Sequence, residues 1–157
     1  AFGPFVNEVR IAKTDMQRSG TLHPLQRTFE RFQAIGARLV GAGLHVGLIE
    51  LYHIGAGSKQ VLIRAVGPTL TIFGVSGALA DPTLRVIDAA GVTIASNDNW
   101  AATLAPTFAQ IGAFPLSPAS RDAALLVTLP AGSTYTIQVS GVSNTTGEAL
   151  VEVYEVF

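Results

Sequence analysis

The chain has 157 residues, 48% of them hydrophobic and 13% charged, with ten Lys plus Arg against eleven Asp plus Glu and a net charge of −1. That length fits one ordinary domain, and the apolar content argues against disorder. No basic run is present that could neutralise successive phosphates, so a nucleic-acid partner is not expected. Gly, Pro or a charge interrupts every apolar stretch before the roughly 18 residues of a membrane helix, so no membrane span is expected and the chain should be soluble. Cysteine is absent, which removes disulfides and thiolate chemistry without fixing the compartment. With no initiator Met and no leader-like start, the chain reads as a processed form or an excised piece.

The first 36 residues read as an N-terminal extension and 37–157 as the main domain. Within the extension, Phe2, Phe5, Val9 and Ile11 make Ala1–Thr14 an apolar arm able to act as a strand. Pro24–Ile35 carries Leu25, Thr28, Phe29, Phe32 and Ile35 at helical spacing, with Pro at an early position, and predicts one short helix. Ala37–Gly57 is aliphatic and Gly-rich, and within it His45–Ile54 is read as a buried strand.

From Lys59 onward one grammar repeats: a short apolar or alternating run, then a turn of Gly, Pro, Asn or Asp. Lys59–Val66 stops at Gly67-Pro68, and Pro82–Asp88 turns at Ala90-Gly91 into Val92–Ser96, a hairpin. A long connection follows at Asn97–Ser120, a length that is usually functional or packs on itself. Ala123–Leu129, Tyr135–Val139 and Glu148–Phe157 are the remaining runs, the last with one buried face and one partly wet one. The expectation is an all-β, two-sheet β-sandwich, jelly-roll-like, of seven or eight strands with one N-terminal helix. Ile63, Leu84, Val86, Leu126, Ile137, Val139, Val151 and Val153 are expected to point inward.

Three consecutive oxygen-bearing side chains, Asn97, Asp98 and Asn99, stand at a strand end, and such a set suits a hard cation such as Ca²⁺ with its six to eight oxygen ligands. Asp81, Asp88 and Asp122 complete the set if the turns converge. The same residue types are also favoured in turns for their own backbone chemistry, and no EF-hand spacing is present. Trp100, the one Trp, stacks on a ligand such as a sugar or caps the core. His23, His45 and His53 are too far apart along the chain for one zinc ion on a strand reading and are read as structural or surface residues. No G-x-S-x-G elbow and no phosphate loop occurs.

From Gly57 to Val156 the sequence resembles a repeated C-terminal module of large exported proteins in the Verrucomicrobia and related bacteria. The residues that carry the resemblance are Gly57–Leu70, Phe73–Leu84, Ile94–Trp100, Asp122–Leu129, Gly141–Val142 and Gly147–Val156. The order of strands and turns is also similar to bacterial pre-peptidase C-terminal domains, β-sandwiches that sit beside catalytic domains and in some cases bind calcium. The resemblance implies a secreted or cell-envelope setting and a non-catalytic, calcium-stabilised accessory module that binds a glycan, a surface or a domain of its parent protein. Two other readings stay open. One is a small calcium-dependent hydrolase of esters or lactones, with a cation near Asp98 polarising a carbonyl or activating water. The other is a structural module that forms homo-oligomers through the N-terminal arm.

Overall fold

The computed structural model describes residues 57–157 in full and the backbone of 8–9, 35–43 and 46–53. The helix expected at Pro24–Ile35 lies outside the described residues, apart from Ile35, which opens a strand. The fold is all-β with two sheets packed face to face. One sheet is built on β4 (Ser58–Val66), which pairs antiparallel with β7 (Ala123–Pro130) on one side and β9 (Leu150–Val156) on the other. The second is built on β8 (Thr134–Gly141) and β5 (Pro82–Ile87), with β6 (Thr93–Asn97) beyond β5.

Three further strands extend these sheets through their backbones. β1 (Glu8–Val9) adds in parallel to β9, while β2 (Ile35–Gly43) and β3 (Val46–His53) form a hairpin whose second strand pairs with β8. The strand orders are thus β1-β9-β4-β7 and β2-β3-β8-β5-β6. The strand expected at His45–Ile54 is present as β3. β2 runs across the boundary expected between 36 and 37, in a Gly-rich stretch with no readable period.

The main core follows from period-two alternation. Val61, Ile63 and Ala65 of β4, Leu84 and Val86 of β5, Tyr135, Ile137 and Val139 of β8, and Val151 and Val153 of β9 point between the sheets and are buried together. On β7 the inward residue is Leu125, the cross-strand partner of Ile63, and Leu126 is 36% exposed. The expected inward position of Leu126 is corrected by one residue: Ala123–Leu129 is apolar at nearly every place, so only the register with β4 sets its phase.

A second core occupies the opposite face of the same sheet. Leu62 and Val66 of β4 and Leu150 and Tyr154 of β9 are buried there under Phe108, Ile111, Ala113 and Leu116. These last four come from the long connection, which forms a 3-10 turn at Ala102–Leu104 and a short helix, α1 (Ala105–Gln110), started by a Pro in its first turn. The connection therefore packs down as a cap, and the partly wet face expected of β9 is buried: Glu152 is 3% and Tyr154 6% exposed.

Candidate functional site

The cap closes over a charged pair. Arg64 is fully buried at the centre of β4, and its direct cross-strand partner is Glu152 of β9. Arg64 Nε and Nη2 donate to Glu152 Oε2 at 2.7 and 2.5 Å, and Nη1 donates to the Phe114 carbonyl at 2.6 Å. Tyr154 Oη donates to Glu152 Oε1 at 2.7 Å. The guanidinium lies 4.4 Å from the Phe114 ring centroid and 4.8 Å from that of Phe108. A buried charge is tolerated only when paired and hydrogen-bonded, and here the pair ties the cap to the sheet. Sequence reasoning passed over it, although a charge in the middle of each of two apolar strand runs, KQVLIRAV and EALVEVYEV, is the visible signal.

The residues expected to hold calcium fall into distinct settings. Asp122 is fully buried, and four donors converge on its carboxylate. Oδ1 accepts the Gly67 and Thr69 amides at 2.7 and 3.2 Å, and Oδ2 accepts the hydroxyls of Thr69 and Ser120. Its own carbonyl accepts the Trp100 amide at 2.9 Å. Asp122 thus joins the turn after β4 to the end of β6 and the start of β7. Gly67 is required at that turn because a Cβ there would stand 2.1 Å from the Leu79 carbonyl oxygen.

Asn97 Oδ1 accepts the Ala124 amide at 3.0 Å, its Nδ2 donates to the Asn99 carbonyl at 3.0 Å, and Asn99 Nδ2 donates to Asp98 Oδ1. Asp98 and Asn99 are exposed. Asp88 accepts the Ala90 and Val92 amides, each at 2.9 Å, and so fixes the β5–β6 turn. Asp81 precedes β5, so seven residues of extended chain, roughly 20 Å, separate it from Asp88. Asp81 Oδ2 accepts from Arg121 at 3.0 Å, while Oδ1 is buried without a hydrogen-bond partner. Asp81, Asn97 and Asp122 gather toward one end of the sandwich and Asp88 stands at the other. Among the described residues no three His, Cys, Asp or Glu side chains come together as a metal set. Asp122 thus already accepts from four donors, and Asp88 stands beyond the far end of β5 from Asp81.

Trp100 is half-buried against the second core. Its ring centroid lies 5.4 Å from that of Phe108, and Nε1 donates to Ser120 Oγ at 3.2 Å. His23, His45 and the side chain of His53 lie outside the described residues.

Among the described residues nothing covers the outer face of the other sheet in this way. Thr134, Thr136, Gln138 and Ser140 of β8 alternate with the core residues and are half-buried, and Thr83, Arg85 and Ile87 stand beside them on β5. Thr83 Oγ1 and Ser140 Oγ are hydrogen-bonded at 2.8 Å. Arg85 is exposed and lies in register with Gln138 on one side and Ser96 on the other. The two sheets therefore differ: one carries an apolar cap on its outer face, and the other presents hydroxyls, an amide and a guanidinium. Among the described residues no helix is long and apolar enough to cross a membrane.

No protein-family model matches the sequence, and no curated protein matches it. A solved structure, the crystal structure of collagen adhesin (CNA) from S. aureus, is similar at 10% identity over 83% of this chain and 50% of that chain, with a TM-score of 0.23. The chain spans about half the length of that protein, and a likeness this low carries no argument about function.

Proposed function

We propose that the chain is a non-catalytic accessory module of an exported protein, and that it binds its partner through the outer face of the five-stranded sheet. The observation that carries this reading is the difference between the two outer faces. Thr83, Arg85, Thr136, Gln138 and Ser140 form a polar field across two paired strands, whereas the corresponding face of the other sheet is sealed by the second core. A row of hydrogen-bonding side chains spread across strands suits an extended polymer, a glycan or a polypeptide, more than a small molecule, which needs a concave site. The strand orders also support a jelly-roll-like arrangement. Calcium enters this proposal through one atom, Asp81 Oδ1, because a hard cation beside it would satisfy a buried oxygen that has no donor.

The test is a binding screen of the chain against immobilised polysaccharides, cell-surface proteins and the neighbouring domains of its parent protein, run beside an assay for hydrolysis of esters and lactones. The expected result is saturable binding to one polymer class without turnover. Calcium-dependent hydrolysis lost in Asp98→Ala would contradict the proposal and favour the hydrolase reading.

A further inference from the structure

β6 is the last strand of its sheet. Its sequence, TIASN, has no charge and no Pro, two of the devices that blunt an exposed edge, although the strand is only five residues long and its register with β5 shifts by one residue at Ile94, a β-bulge. Thr93 and Ser96 are exposed, Ile94 is 42% exposed, and Val92, just before the strand, is 56% exposed. One strand inward, Arg85 is in register with Ser96. Among the described residues the other cations have acidic partners: Lys59 with Glu155, Arg64 with Glu152 and Arg121 with Asp81. Arg85 has none, and the outer-face positions around it, Thr83, Ile87, Ser96, Thr136, Gln138 and Ser140, carry no acid. In the neighbouring strand the backbone register sets Glu50 opposite Thr136, whereas Gln138, the β8 partner of Arg85, lies opposite Leu48.

Resting on the reading of this chain as a binding module, we infer that the β6 edge takes an added strand from a partner polypeptide bearing a carboxylate two residues from an apolar side chain. An extended segment laid beside β6 pairs its main chain with the edge's outer amides and carbonyls, which no described strand pairs, and this supplies affinity without regard to sequence. Its alternate side chains then lie on the outer face beside those of β6. A carboxylate in the row of Ser96 is two strand spacings, about 10 Å, from the Arg85 backbone. The long arginine side chain and a glutamate close that distance from both ends across the small Ser96. Past Ala95, where the register shifts, the added strand meets the exposed Ile94, where an apolar side chain covers surface that is otherwise wet. Charge complementarity with Arg85 and the apolar neighbour together select an acidic, apolar-flanked polypeptide over a polysaccharide, which would meet no aromatic ring at these positions.

The experiment measures fluorescence anisotropy with a labelled threonine-based peptide carrying one glutamate and, two and four residues on, valine. Three comparisons accompany it: the same peptide with glutamine for glutamate, polygalacturonate as a competitor, and sedimentation of the chain alone. The expected result is saturable binding, with the glutamine peptide about fivefold weaker, the size of an exposed ion pair. Arg85→Gln should bind both peptides alike, and Ile94→Lys should bind neither while keeping its melting temperature. Failure of both peptides to bind, or binding indifferent to Arg85 and Ile94, overturns the inference. Arg85-dependent binding of polygalacturonate in place of the peptide overturns it while leaving the binding-module reading standing. Self-association abolished by Ile94→Lys overturns it in favour of a second copy as the occupant.

Discussion

Arg64 and Glu152 face each other as direct cross-strand partners on β4 and β9, fully inside the protein, with Nη2 of one 2.5 Å from Oε2 of the other. The pair sits in the layer between a sheet and its cap, where three aromatic rings and one backbone carbonyl complete its surroundings.

Removing one member strands the other in that layer. Glu152→Ala is expected to cost about 3–5 kcal/mol, the usual loss when a buried pair is broken from one side. Replacing both, with Arg64→Met and Glu152→Leu, should recover most of that loss. Urea denaturation of the two variants checks this, and a double variant no better than the single would contradict it.

Asp122 and Asp98 belong to neighbouring turns but differ in burial. Asp122→Ala leaves the Gly67 and Thr69 amides without their acceptor, and each such buried group costs about 1–3 kcal/mol. Asp98→Ala removes an exposed side chain and should stay within about 0.5 kcal/mol of the parent. Thermal melts of both decide whether the acidic turn or the buried aspartate organises this end of the sandwich.

The strand grammar was legible because β4, β5 and β8 each end at a turn marked by Gly, Pro, Asn or Asp, and Leu84, Val86, Ile137 and Val139 alternate cleanly with polar neighbours. The second core was not legible. Phe108, Ile111, Ala113 and Leu116 follow no strand period, and only the third dimension shows that they cover β4 and β9. That cover is also why Arg64 and Glu152 are buried. The sequence places the oxygen-rich residues at strand ends, but it does not show which of them bind their own backbone. Asp88, which accepts two amides of its own turn, is the clearest case. Arg85 drew no notice because a lone charge in PTLRVID is ordinary for a wet strand face. Its lack of an acidic partner emerges only from the register.

Leu125 and Leu126 give a direct test of the β7 register. Leu125→Ala should cost about 2–5 kcal/mol, as buried Leu truncations do, whereas Leu126, 36% exposed at a sheet edge, should tolerate the same change with a small fraction of that loss. Equal losses at the two positions would place β7 one residue out.

Calcium, if held at Asp81 Oδ1, binds the folded state and stabilises it by about 2.7 kcal/mol at a hundredfold excess over Kd. Chelator should then lower the melting temperature of the parent and of Asp88→Asn, and have no effect on Asp81→Asn. A parent chain indifferent to chelator removes calcium from the account.

Two lysine substitutions separate a binding face on one sheet from a closed face on the other. Kd for the polymer found in the binding screen is compared between Gln138→Lys, at the centre of the polar field, and Ala109→Lys, on the exposed side of α1. Both variants must first show the parent's melting temperature. Gln138→Lys should bind at least about tenfold more weakly, some 1.4 kcal/mol, and Ala109→Lys should bind like the parent. Loss of binding in Ala109→Lys with Gln138→Lys unaffected would contradict this and move the binding surface to the cap.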